Sequence, residues 1–208
     1  MLLSTAYFPP AEYFALIARD MTLSPDRVLP SSVSIEACEN YQKQSYRNRC
    51  YILAGDGPQI LQVPVLHSGA TPIREVRIDY STPWVLRTQR ALATAYDTSA
   101  FFEYYRDELF SILESGEPLL WDFNLRLTKW CAAKMGISAT LSPTADFIAP
   151  GSSADDYRYT LHPKLPMPTI PVKPWYQVFR DRHHGFTPHL SALDLLFNEG
   201  PSSIIFLK

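Results

Sequence analysis

Proline constrains this chain more than any other feature: 18 of its 208 residues are proline and only 8 are glycine. The proline share is close to twice the ordinary value of about 5%. Each proline fixes φ and withdraws a backbone donor, so the chain commits to stiff, extended connections at particular places. Six of the eighteen lie between Pro150 and Pro174, a stretch without helical period. That spacing predicts an arm lying over the domain rather than a linker, since the segment beyond Pro174 is too short to fold alone. Pro9-Pro10 closes a first strand, and Pro83 and Pro118 stand where helices open.

Between these stops the periodicity alternates in kind. Leu2 to Phe8 reads as a strand and Ala11 to Asp20 as a helix with Tyr13, Phe14, Ile17 and Ala18 on one face. Ser31 to Cys38, Arg49 to Ala54 and Gln59 to Val65 read as strands, the last two joined by a turn of about four residues, Gly55-Asp56-Gly57-Pro58. Arg74 to Tyr80 alternates as a half-exposed strand. Helices are predicted from Trp84 to Asp97, from a Ser99 cap to Glu114, and from Pro118 to Gly136. A strand follows at Ile137 to Leu141, then the arm, a short helix at Leu190 to Phe197 and an apolar tail at Ile204 to Leu207. The pattern is mixed, α+β or α/β: an N-terminal strand and helix, mainly antiparallel strands, central helices, the extended arm and a short C-terminal helix. Residues 1–208 suit a single domain.

A net charge of −2 supplies no global field for nucleic acid or an anionic membrane. Apolar runs of a few residues fall far short of a membrane span, and the first residues have neither the basic nor the apolar region of a signal peptide. Cys38, Cys50 and Cys131 form an odd set with no metal-ligand spacing, which reads as buried free thiols in a cytoplasmic protein. No metal and no cofactor is expected.

Three stretches could carry chemistry. Tyr41 to Arg49 holds three cations and no carboxylate, so Lys43 and Arg49 suit an anion. Ser45 and Asn48 would orient that anion, and Tyr46 or Trp175 would stack on a base or sugar ring. Trp175 to Phe186 holds Trp175, Tyr176, Arg182, His183 and His184. A histidine there would be the general base, and adjacent histidines on an extended segment would point to opposite sides. Ser191 reads as a helix N-cap, and Asp194 either completes a capping box or orients an imidazole. The arm should carry Trp175 to His184 back to the cationic loop, closing one polar pocket.

These residues together resemble the WbqC-like family of bacterial proteins. The likeness rests on Tyr7-Phe8-Pro9-Pro10 with Tyr13-Phe14, on Gln42 to Arg49, and on Val63-Pro64-Val65, Trp84 and Tyr96 to Tyr105. It continues with Leu190 to Gly200. The chain departs from the pattern at Leu86, Arg87 and Thr88, where members often carry a histidine. His189 sits where asparagine is common, so it is discounted as a general catalytic residue. The resemblance implies a place in O-antigen or other surface polysaccharide synthesis, with acyl or aminoacyl transfer to an amino sugar, free or nucleotide-linked. The alternative is a non-catalytic binding or assembly protein of such a pathway. Either reading implies a small nucleotide-sugar or phosphorylated ligand; the oligomeric state is open.

Overall fold

A computed structural model of the chain describes residues 1–19, 21–24, 27–67 and 69–208. In chain order the elements are β1 (Leu2–Ser4), α1 (Ala11–Arg19), β2 (Thr22–Ser24), β3 (Arg27–Leu29), β4 (Ser31–Glu36), β5 (Arg49–Ala54), β6 (Gly57–Gln62), β7 (Val65–Leu66) and β8 (Arg77–Ile78). The helices α2 (Trp84–Tyr96), α3 (Phe102–Leu113) and α4 (Leu120–Lys134) come next, then β9 (Ala139–Pro143), α5 (Ala192–Glu199) and α6 (Ser203–Phe206). The fold is mixed α+β. Asp20, the expected end of the first helix, lies outside the described residues.

The principal sheet is parallel, in the order β1-β4-β9, with Leu3 opposite Ile35 and Ile35 opposite Pro143. A parallel pair needs a crossover, and α1 supplies it. Every residue of α1 from Ala11 to Ala18 is buried, as expected of a helix enclosed on all sides, here between β4 and α5. The antiparallel pairs are the separate two-stranded sheets β2-β3, β5-β6 and β7-β8.

Three local expectations are corrected. The turn between β5 and β6 is Gly55-Asp56 alone, because Ala54 already pairs with Gly57; Gly57 takes the φ of +127° that a side chain would resist. Residues 74–80 do not form one strand: a 3-10 turn occupies Ile73–Glu75, and only Arg77 and Ile78 pair, with β7. Ser99 does not cap α3, since its hydroxyl donates to Tyr96 O at 2.7 Å and the helix opens at Phe101 without a side-chain cap.

The centre of the core is α5. Leu193, Leu195, Leu196 and Phe197 are fully buried, each worth about 2 kcal/mol in apolar burial. Phe197 meets Tyr96 and Phe102 edge-on at 5.0 Å. The helix ends at Gly200, φ +54°, where a Cβ would come within 2.5 Å of the Phe101 ring.

The arm completes the parallel sheet. Leu2 N donates to Asp155 O at 2.9 Å and Tyr157 N to Leu2 O at 3.0 Å, so the chain beside Asp156 pairs in parallel with the free edge of β1. Arg158 anchors it. Its guanidinium donates to Glu36 Oε2 at 2.5 Å and to both oxygens of Asp156 at 2.9 and 2.6 Å, and the Arg158 and Glu36 side chains are wholly buried. Glu36 also accepts from Thr144 Oγ1, Cys38 N and Ile148 N. Among the described residues no helix is long and apolar enough to cross a membrane.

Arg158→Ala strands two carboxylates and should lower the unfolding free energy by about 3–5 kcal/mol in urea titration. Lys134→Ala, which breaks the exposed pair with Glu108, should cost about 1 kcal/mol or less.

Candidate functional site

The loop between β4 and β5 is built from the inside. Tyr7 N donates to Tyr46 O at 2.8 Å, tying the loop to the end of β1. Arg47 is buried, bonded to Glu39 through Nε at 2.9 Å and again through Nη2, which also reaches Ser4 Oγ at 2.7 Å. Ser45 Oγ donates to Gln42 O and accepts from Arg47 N. Asn48 Nδ2 donates to Val63 O, and Asn124 Nδ2 donates to Arg47 O. Ser45 and the Asn48 amide nitrogen, both expected to orient a ligand, therefore hold the loop itself. Arg47, absent from the expected binding set, is its strut. Lys43 remains exposed and Arg49 half-buried.

Those two cations line a cavity of about 230 Å³ with Tyr41, Gln44, Asn48, Gln62 and His67. Arg49 Nη2 reaches Gln62 Oε1 at a long 3.4 Å. Three buried polar atoms of the lining residues have no partner: Asn48 Oδ1, Arg49 Nε and His67 Nδ1. Buried polar groups are ordinarily paired, and these three atoms are exceptions.

The arm reaches this loop earlier than the sequence suggests. Lys164 bonds Gln44, and Lys164 N donates to His162 Nδ1 at 3.2 Å. Partial burial lowers the His162 pKa, and the cations Arg47, Lys164 and Arg49 lower it further. His162, not His183 or His184, is the histidine the arm brings to the cationic loop.

A second cavity, of about 170 Å³, is lined by Tyr46, Tyr51, Pro58, Pro163, Pro188, His189 and Leu190. Backbone bonds set its walls: Ala11 N to Leu190 O, and Ser191 N to Tyr51 O. His189 Nδ1 stands 2.5 Å from Glu12 Oε1. Burial raises the Tyr46 hydroxyl pKa well above the ordinary tyrosine value, and the nearby Glu12, Tyr51 and Cys50 raise it further. Neither Glu12 nor His189 is among the expected site residues. A carboxylate inside an otherwise apolar helical stretch is the available signal for Glu12; nothing local marks its partner, 177 residues away.

The third stretch divides. Asp194 is buried and accepts from Trp175 Nε1 at 2.7 Å, Gln177 Nε2 at 3.1 Å and Tyr96 Oη at 3.0 Å. Ser191 caps α5, its Oγ accepting from Leu193 N, but the Asp194 carboxylate forms no capping box and meets no imidazole. Burial pushes the Asp194 pKa up to about 6 despite the three donors. Residues 178–184 are a turn, not an extended segment, closed by Gly185 N donating to Arg180 O. His183 Nε2 donates to Ala54 O at 3.0 Å, His184 has φ +57°, and Arg182 lies over the Phe179 ring. Tyr176 is exposed, its backbone N held by Glu199. These groups sit at the Ala54 end of β5, about 17 Å along the strand from Arg49. The expected single pocket joining Lys43 and Arg49 to His183 and His184 therefore does not form. Cys50 and Cys131 are buried with thiols pushed up by desolvation; Cys38 is exposed, contrary to expectation. Among the described residues no group of three or more His, Cys, Asp or Glu is placed to hold a metal ion.

The profile of the WbqC-like protein family matches residues 5–162. The chain belongs to the WbqC-like family. The matched stretch contains Glu12, the Lys43–Arg49 loop, Arg158 and His162; the Leu190 to Gly200 segment lies beyond it. A Mycobacterium tuberculosis protein named only as uncharacterized, Rv1507c, is 32% identical over 195 residues, covering 81% of this chain and 84% of its own. No solved structure matches this WbqC-like chain.

The buried Asp194 gives a pH signature. Its folded pKa is raised, so the folded state holds the proton more tightly than the unfolded one. Stability from that proton is full below about pH 4 and is lost as pH rises through about 6. The unfolding free energy of the wild type minus that of Asp194→Asn should fall by on the order of 2–3 kcal/mol across this window and level off above it, read from urea titrations at successive pH values.

Proposed function

We propose that this protein binds a small phosphate-bearing sugar or nucleotide-sugar in the cavity edged by Lys43 and Arg49, and transfers an acyl or aminoacyl group to an amine of that molecule. The observation that carries the reading is the lining of that cavity, which among the described residues holds Lys43 and Arg49 and no carboxylate. A ligand bearing phosphate oxygens meets both cations. Lys43 at the rim adds charge without fixed geometry, while the planar Arg49 adds direction. The neutral form of His162 is favoured by its surroundings. Because Nδ1 accepts from Lys164 N, that form carries its proton on Nε2, where it can donate to an anionic oxygen. The transfer step rests on the family resemblance and on the polar, sugar-sized space.

A non-catalytic binding role in a polysaccharide pathway is the second reading. It is favoured by one observation: His183 and His184, the expected bases, lie at the far end of β5, with His183 engaged by Ala54 O.

Titration calorimetry with a panel of nucleotide-linked amino sugars and their sugar phosphates tests the binding. At least one should release heat, with Lys43→Ala and Arg49→Lys each weakening affinity about tenfold or more. No heat across the panel, or unaltered affinity in both variants, overturns it.

A further inference from the structure

We propose that Glu12 and His189 form an acid–histidine dyad whose imidazole is the proton acceptor of this protein, serving the cavity lined by Tyr46 and Tyr51. The inference deepens the transfer reading above and rests on it for the substrate class.

The geometry has three parts. Glu12 lies in the first turn of α1, with its side chain only 7% exposed, and Oε1 is 2.5 Å from His189 Nδ1. A carboxylate is an acceptor only, so Nδ1 carries a ring proton, and in the neutral imidazole the lone pair is on Nε2. The His189 side chain is 49% exposed and lines the 170 Å³ cavity with Tyr46 and Tyr51, so the acid is sealed behind a base that faces an open space. The backbone at His189 has φ +62°, a conformation that histidine adopts at a cost. It is held there by the bonds from Ala11 N to Leu190 O and from Ser191 N to Tyr51 O. A solvated surface pair would need neither the buried acid nor the strained backbone.

The arrangement has the logic of a buried carboxylate that fixes the tautomer of a histidine and stabilises its imidazolium. Tyr46, kept protonated by burial and by the nearby Glu12 carboxylate, supplies a donor for a developing oxyanion. With an activated acyl ester or thioester as donor, the acceptor nitrogen bonds to the acyl carbon and the bond from that carbon to the leaving oxygen or sulfur breaks. The proton lost by nitrogen passes to His189 Nε2 and from there to the leaving atom. In this scheme His189 is the catalytic residue and Glu12 a positioning residue.

p-Nitrophenyl acetate tests the step with water in place of the amine. Water loses its proton to Nε2, its oxygen bonds to the acetyl carbon, and p-nitrophenolate departs. The wild type should exceed the rate of an equal concentration of free imidazole. His189→Gln should lose at least tenfold, Glu12→Ala should lose a comparable factor, and Glu12→Asp should recover part of it. A second readout needs no variant to fold: long-range ¹H–¹⁵N spectra of histidine-labelled wild type should show the His189 proton on Nδ1, where free imidazole side chains favour Nε2. In Glu12→Ala the proton should move to Nε2. A wild-type rate no greater than that of imidazole, an unchanged rate in folded His189→Gln, or a wild-type proton on Nε2 overturns the dyad. The ester carries no phosphate, so its hydrolysis reports on the dyad independently of the anion site. A lost ester reaction beside intact sugar-phosphate binding rejects the dyad alone, and the reverse rejects the anion site alone.

Discussion

The buried guanidinium of Arg158 is the contact on which the rest of the arrangement depends. It sits between Glu36 at the end of β4 and Asp156 in the arm. Such a pair is worth little against a well-packed apolar substitute, yet it is costly to break once formed. Its effect is therefore specification. It allows one placement of the arm against β1, and that placement carries His162, Pro163 and Lys164 to the loop that holds Arg47 and Arg49. The second cavity takes one wall from this placement, through Pro163, and Lys164 meets Gln44, which lines the first.

Charge in this protein has two distinct uses, separated by burial. Arg47 with Glu39, like Arg158 with Glu36, is a buried and fully engaged pair. Lys43 and Arg49 are left over, at the rim of a cavity whose own polar atoms are incompletely bonded. The acids divide in the same way. Asp194 is enclosed by three neutral donors from Trp175, Gln177 and Tyr96, which holds Trp175 and Gln177 of the C-terminal segment against α5. Glu12 is as well hidden from water but has one outlet, through the imidazole of His189.

The elements and the cationic loop are legible in the sequence because their signals are local. Helical period, the prolines ahead of α2 and α4, and the Ser191 cap are each read within a few residues. Pairing over long separations is concealed. The parallel register of β1 with β4, the arm beside Asp156 and the meeting of Glu12 with His189 join positions that no short window connects. The turn after β1 contains no histidine in sequence, yet the fold delivers one there from residue 189. The misplacement of His183 and His184 has the same origin. Their residue type suits a base, but the turn closed by Gly185 directs them to the β5–β6 hairpin, and only tertiary structure shows which end of β5 that is. Arg47 escapes notice because the three cations of the loop look equally free until burial distinguishes them.

The position of α5 in the chain has a consequence for how the molecule is made. The helix at the centre of the core is synthesised after α1, α3, α4 and β5, elements that it packs against. Its partners α1, α3, α4 and β5 must wait, each with an apolar face uncovered, until residues 192–199 arrive. The contacts that complete the core span most of the sequence, a topology that slows folding and prolongs exposure to aggregation. The segment that matches the family profile, residues 5–162, lacks this helix, so within it α1, α3, α4 and β5 are without one of their packing partners.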